Sequence, residues 1–321
     1  ILVTSFRDKW EYPLASKVRR ISLEDTEIQQ SRIKRNVSRI NKLRTLCKAE
    51  KPDILVSFME EPNFRAILAT TGLPVKTLVS VRNDPNKEYA GKMGLIVGKI
   101  LLPMADGCVF QTSDAQRWFP VKLQKKSKII YNAVKEDFYY VERKPVRGEI
   151  VTCGRLTEQK NHAMLIDAFA RVKKKYPFAT LKIYGEGDLR KELQKQIFDL
   201  NLDDNVFLMG ATNNVERVLE TADLFVLSSD YEGMPNALME AMAVGVPCIS
   251  TDCPCGGPRD LLGDNSTNKL VQCGNVNQMA DSICNYFENK EDGTKEKKMS
   301  LSFKPEKINR MWENFVLEII G

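Results

Sequence analysis

Short apolar runs alternate along the chain with longer stretches in which apolar residues return every three or four positions. DILVSF (53–58), VKTLVSV (75–81) and DGCVFQT (106–112) read as buried strands. The stretches near 32–50, 61–71 and 87–104 read as helices between them. In 32–50 the apolar positions Ile33, Val37, Ile40 and Leu43 form one stripe among Arg, Lys and Asn. That pattern suits a surface helix packed on a sheet, or a basic helix lying on a membrane.

KIIYNAV (128–134) is a further strand-to-loop passage. The charged, proline-containing stretch KEDFYYVERKPVRGE (135–149) then breaks the rhythm and reads as a linker. A second alternation follows: EIVTCGRL, a helix from about 161, ATLKIYGEG, a helix from about 188, NVFLMG, a short helix, DLFVLSS, a helix from about 235, and PCIST. Strand–helix–strand alternation predicts a parallel sheet covered on both faces. Having it twice predicts an α/β protein of two Rossmann-like domains facing a cleft, with ligands at the carboxyl ends of the strands. The expected divisions are an acceptor-side domain over 1–134, a ligand-binding domain over 149–303 and a final helix over 304–321. In that helix Ile308, Met311, Trp312, Phe315 and Ile319 share one face.

Composition adds an asymmetry. Residues 1–150 hold 28 Lys and Arg against 17 Asp and Glu, and residues 151–321 hold 20 against 25, which together give the net +6. A basic first half suits an anionic partner. No zinc-finger, RNP or helix-turn-helix signature favours nucleic acid, so an anionic membrane surface is the expected partner. No run of about 18 uncharged apolar residues predicts a membrane span, and the opening ILVTSFRDKWEY lacks the layout of a signal peptide. Eight scattered cysteines, with Cys108, Cys153 and Cys248 in apolar runs, fit reduced thiols in a cytoplasmic setting. CPC at 253–255 has no second cysteine pair or nearby histidine, so no metal is expected.

The chemistry concentrates in DLFVLSSDYEGMPNALMEAMAVGVPCIS. A strand ends near Ser228, a loop carries Glu232, and Pro235 suits the first turn of a helix that Gly245 and Pro247 end. The backbone of Gly233, Met234, Pro235, Asn236 and Ala237 then surrounds a helix N-terminus suited to an anion. Glu232 is placed to accept from sugar hydroxyls. Glu240, one turn on and flanked by Leu238, Met239, Ala241 and Met242, is placed for vicinal hydroxyls such as those of a ribose, or is a solvated helix charge. In CGRLTEQKNHAMLIDAF, Gly154 permits a tight turn, and Arg155 and Lys160 suit a diphosphate. YGEGDLRKEL, with Gly185, is another strand-to-helix turn. His162, the one histidine, reads as a capping or surface residue. VRNDPNKEY offers Arg82 and Asn83 at a strand end, or a plain Asn-Asp-Pro turn.

At EGMPNALMEAMAVGVPCIST, GRLTEQKNH and YGEGDLRKEL the chain resembles the retaining glycosyltransferases that carry an E-x7-E motif on a GT-B fold. CPCGGPRDLL and SVRNDPNKEY resemble members acting on nucleotide-activated hexoses for surface glycans. The resemblance implies that Arg155 and Lys160 hold the diphosphate of a nucleotide sugar, UDP-linked, without a metal or other cofactor. It implies that Glu232 faces the donor sugar, that Glu240 holds the ribose and that residues 233–236 give backbone contacts. The last helix would return to pack on the first domain. The family's opening strand and glycine-rich loop are not recognisable, and the chain starts around the next strand. Asn268 stands where many relatives have a turn glycine. Arg82 and Asn83 stand where some have a histidine, so no general base is assigned. The expected activity is hexosyl transfer to a glycan or lipid-linked acceptor at the inner membrane face. A nucleotide-sugar binder without turnover and a nucleotide-sugar epimerase are the alternatives.

Overall fold

The computed structural model of the protein describes residues 1–5, 14–23, 31–263 and 269–321. It divides into two compact units, one of residues 1–110, 116–129 and 313–321, the other of residues 111–115 and 130–312.

The first unit begins with two short parallel strands, β1 (Leu2–Thr4) and β2 (Arg20–Ser22). Helix α1 (Arg32–Glu50) follows, capped by the Ser31 hydroxyl and closed by Lys51 in a left-handed conformation. Then come β3 (Ile54–Phe58), α2 (Glu60–Thr70) and β4 (Lys76–Ser80). After the short α3 (Pro85–Glu88) and α4 (Gly91–Ile96) the chain reaches β5 (Gly107–Phe110). It continues through α5 (Ser113–Trp118) and α6 (Val121–Gln124) to β6 (Ser127–Ile129). Strands β3-β4-β5-β6 form one parallel sheet in that order. The expected stripe on α1 is only half used: Leu43 and Cys47 are buried, whereas Ile33 and Val37 are exposed.

The single helix expected over 87–104 is broken. It ends after α3, restarts at Gly91 (φ +74°), and runs on from α4 through a π turn (Val97–Leu101) and a 3-10 turn (Leu102–Met104). The first helical piece stops at Tyr89, and the extended Ala90 (φ −67°, ψ 151°) separates it from the left-handed Gly91 that opens the next.

The second unit holds six parallel strands: β7 (Glu149–Cys153), β8 (Thr180–Tyr184), β9 (Val206–Gly210), β10 (Leu224–Leu227), β11 (Cys248–Thr251) and β12 (Leu270–Val271). Their spatial order is β12-β11-β10-β7-β8-β9. The crossovers are α7 (His162–Lys175), α8 (Arg190–Asp199), α9 (Val215–Thr221), α10 (Asn236–Val244) and α11 (Gly257–Leu262). Beyond β12 lie α12 (Val276–Glu288), α13 (Thr294–Ser300) and α14 (Pro305–Ile320).

The strands read as unbroken apolar runs because successive side chains fill opposite layers. Ile150, Leu224, Val226 and Ile249 enter the layer under α7 and α12 with Phe169 and Ile283. Val151, Phe225, Leu227 and Cys248 enter the layer under α10 with Leu238 and Met242. Burial on both faces makes this a doubly wound sheet. Its strand order reverses between β7 and β10, which is where such sheets bind ligands.

The segment expected as a linker is packed. Phe138 and Tyr139 are buried in the α10 layer, and Tyr139 donates to the Ser300 carbonyl at 2.8 Å. Of the last helix, Ile308 is buried in the second unit. Phe315 and Ile319 lie against Gly107 in the first. The turn expected at Asn268 lies outside the described residues.

Helix α10 is seated by a backbone contact at its end. Gly245 (φ +88°) closes it, and a Cβ on Gly293 (φ +78°) would lie 1.8 Å from the Gly245 carbonyl oxygen. Gly72 (φ +73°) has nothing within 4 Å of the equivalent position. Gly72→Ala therefore carries only the left-handed cost of about 1–2 kcal/mol. Gly293→Ala adds a backbone clash and lowers the melting temperature clearly further; equal losses in thermal melts would contradict this.

Candidate functional site

Two loops meet at the carboxyl ends of β7 and β10, the strands on either side of the order reversal. The first turns at Gly154 and carries Arg155 and Lys160. The second runs from Ser228 to Pro235. They are joined by a ladder of hydrogen bonds. The Asp230 N–H donates to the Gln159 carbonyl at 2.9 Å. Gln159 Nε2 donates to the Tyr231 carbonyl at 3.0 Å, and Asn161 Nδ2 to Asp230 Oδ1 at 2.9 Å. The Ser228 hydroxyl donates to the Lys160 carbonyl at 2.8 Å.

This ladder brings Lys160 and Glu232 together. Lys160 Nζ lies 2.5 Å from Glu232 Oε1, and the Ser229 hydroxyl donates to the same oxygen at 2.7 Å. Both side chains are largely out of water, so neither charge is held by solvent. The aliphatic stem of Lys160 passes over Gly154, 3.2 Å from where a Cβ would stand. Sequence reasoning gave one residue to a phosphate and the other to a sugar. It missed their direct pairing and missed Ser229; the polar Ser228-Ser229-Asp230 run straight after an apolar strand was the available signal.

Arg155 is exposed, and its side chain has no hydrogen-bond or ion-pair partner among the described residues. It emerges from the same turn. Gly185 and Gly187 hold that turn. A Cβ on Gly185 would be 1.9 Å from the Gly154 carbonyl oxygen, and one on Gly187 would be 2.4 Å from that of Leu156. The GEG stretch is thus required by contact, beyond its role as a strand-to-helix turn.

His162 is neither a cap nor a surface residue. Asn161 (φ 43°) caps α7 through its side chain, and His162 is buried in the first turn. Its Nε2 is 3.3 Å from the Gly154 carbonyl oxygen. Burial lowers its pKa to about 4, so at neutral pH the ring is uncharged and Nε2–H donates to that carbonyl.

Pro235 is the residue before α10, not part of its first turn. Having no N–H, it gives no donor to an anion; its carbonyl accepts from Met239 at 3.2 Å. No side chain caps α10. The N–H groups of Asn236 and Ala237 in the first turn thus have no side-chain acceptor among the described residues. Gly233, Met234 and Pro235 are buried, and Asn236 is exposed. The Asn236 side chain accepts from Asn132 Nδ2 at 2.5 Å, and Asn132 accepts from Gln111 at 2.7 Å. A Cβ on Gly257 would lie 1.9 Å from the Gly233 carbonyl oxygen. The CGGP stretch therefore closes over the loop before α10.

Glu240 lies in the second turn of α10, half-buried, with no hydrogen-bond partner among the described residues. Burial raises its pKa from 4.5 to about 7, opposed by Lys135 and reinforced by Glu216.

Arg82 and Asn83 belong to the first unit, after β4. The Arg82 guanidinium lies 4.9 Å from the Phe58 ring centre, and burial lowers its pKa to about 10. Asn83 Oδ1 accepts from the Asp84 N–H at 2.9 Å. Asp84 then caps α3 through Asn86, with Pro85 in its first turn. The turn reading accounts for Asn83 and Asp84.

With this geometry in hand, similarities to known proteins become informative. The sequence profile of the glycosyl transferases group 1 matches residues 141–301. An uncharacterized glycosyltransferase of Methanocaldococcus jannaschii is 32% identical over 251 residues, 70% of this chain and 62% of that protein. The N-acetylgalactosamine-N,N'-diacetylbacillosaminyl-diphospho-undecaprenol 4-alpha-N-acetylgalactosaminyltransferase of Campylobacter jejuni is 31% identical over 254 residues, 74% of this chain and 68% of that protein. The structure of Anabaena HepE in complex with UDP and glucose matches with a TM-score of 0.79 at 18% identity, covering 93% of this chain and 85% of that one. The structural likeness shows the α/β GT-B type of fold.

The raised pKa of Glu240 sets a test of its environment. The folded chain binds this proton more tightly than the unfolded chain, so stability is lost as pH rises from about 4.5 through about 7. Glu240→Gln, always neutral, escapes that loss. It melts above the wild type at pH 8 and with it at pH 4; a gain equal at both pH values would contradict the shift.

Proposed function

Because the chain belongs to the glycosyl transferases group 1 family, we propose that it moves a hexose from a UDP-linked sugar to a hydroxyl of a glycan or lipid-linked acceptor, with retained anomeric configuration. One observation carries this reading. At the switch point of the second unit's sheet, an uncapped helix N-terminus, an exposed arginine and a lysine–glutamate pair lie on two interlocked loops.

The departing diphosphate is the largest charge to be stabilised. The N–H groups opening α10 face it with fixed dipoles, and Arg155 and Lys160 add positive charge. Lys160 carries three N–H donors, so it can keep Glu232 and still reach a phosphate oxygen. In Glu232 both hydrogen bonds from the described residues fall on Oε1, which leaves Oε2 for a sugar hydroxyl. Glu240, whose side chain has no partner among the described residues, takes the two ribose hydroxyls. Their donation favours the carboxylate over the acid. Glu232 orients sugar, Glu240 orients nucleoside, and neither is given a proton to carry.

The name of the Campylobacter relative describes transfer of N-acetylgalactosamine onto an undecaprenol-linked diphosphate glycan. This supports a lipid-linked acceptor in surface polysaccharide synthesis, reached at the cytoplasmic membrane face. The basic first half supports the same location, and among the described residues no helix is long and apolar enough to cross a bilayer. An epimerase fits poorly, because the one histidine is buried and spends its N–H on a backbone carbonyl.

Calorimetric titration with UDP-sugars tests the assignment. Arg155→Ala combined with Lys160→Ala lowers affinity by at least about a hundredfold, the loss of two charge-assisted contacts to phosphate. Unchanged affinity in a folded double variant sinks the diphosphate assignment. Donor binding without nucleotide release, across a panel of acceptors, favours a binder without turnover.

A further inference from the structure

In the first unit, the stretch from Gly91 to Met104 is built inside out. Its inward positions include two glycines four apart. Gly94 is buried so closely that a Cβ would stand 2.4 Å from the Tyr89 backbone, and one on Gly98 would stand 2.7 Å from the Trp118 ring. Leu102 is buried and Val97 and Leu101 are half-buried, but most of its large apolar side chains point the other way. Met93, Ile96, Ile100 and Met104, at helical spacing, are all exposed, Met93 at 72% and Ile100 at 65%. An ordinary surface helix shows the reverse arrangement. Small residues seat the helix on the body, and its apolar face is left to water.

Within residues 89–105, between the flanking Glu88 and Asp106, the charge is of one sign. Residues 89–105 contain Lys92 and Lys99 and no acidic residue. Lys99 is anchored, its Nζ 3.6 Å from the Trp118 ring centre and donating to the Trp118 carbonyl. Lys92 is exposed, with no ion pair among the described residues. An apolar strip edged by lysines complements a surface that is apolar inside and anionic at its rim. A second copy docking by the same face would bring lysine against lysine.

We propose that this face, the outer side of α4 and the π turn, docks on the headgroup and upper acyl region of an anionic phospholipid bilayer. The proposal deepens the functional reading, since it gives a lipid-linked acceptor's membrane a named landing surface, and its readout does not require transfer.

The test is flotation of the full chain with phosphatidylglycerol–phosphatidylcholine vesicles, beside vesicles of phosphatidylcholine alone, with UDP titration run in parallel. The wild type floats with the anionic vesicles, and added salt weakens this. The triple variant Met93→Ser, Ile96→Ser, Ile100→Ser melts like the wild type and binds UDP unchanged, but loses vesicle affinity by at least about tenfold. Lys92→Glu loses several-fold. Vesicle binding unaffected by the triple variant overturns the proposal. So does absence of vesicle binding by the wild type. A concentration-dependent dimer that the triple variant abolishes, without vesicle binding, assigns the face to a second copy instead. Vesicle binding with no UDP binding leaves this surface standing and removes the donor-site reading.

Discussion

The second unit depends on backbone passing against backbone where no Cβ fits. Gly185 rests on the Gly154 carbonyl, Gly257 on the Gly233 carbonyl and Gly293 on the Gly245 carbonyl. Each contact joins two loops or helix ends that follow different strands. Between them they fix the turn after β7, the loop before α10 and the far end of α10. A side chain at any of the three would push these segments apart. Glycine is kept there for close approach more than for flexibility.

Once the loops are fixed, charges follow. Lys160 and Glu232 are brought to 2.5 Å across 72 positions of sequence, in a place with little water. A buried pair of this kind adds little net stability, but stranding either member is costly. That sensitivity makes it a good holder of geometry. The uncapped start of α10 and the unpartnered Glu240 are the opposite case. They are polar groups whose needs the described residues do not meet, half-shielded from solvent, at the point where an α/β sheet of this order binds ligands.

Much of this could be read from the chain. The strands were legible because burial on both faces leaves unbroken apolar runs, and Gly245 marked the end of α10 by its left-handed conformation. The loops bearing Arg155, Lys160 and Glu232 were legible because strand-to-helix turns sit at strand ends. Contacts between distant segments were not legible. Lys160 and Glu232 were each given to a ligand, since nothing local ties position 160 to 232. The break at Gly91 was hidden by apolar residues that continue a helical period on the wrong face. Residues 135–149 look like a linker by charge, yet Phe138 and Tyr139 are core. His162, alone and polar, gave no hint that its ring would be buried against Gly154.

The central claim is that the switch point between β7 and β10 holds the nucleotide diphosphate. The most direct measurement is a crystal structure of the chain grown with UDP. The account places the diphosphate at the N-terminus of α10 within hydrogen-bond reach of Arg155 and Lys160, with the ribose hydroxyls on Glu240. Well-ordered UDP bound elsewhere on the molecule, with α10 and Arg155 untouched, would contradict it.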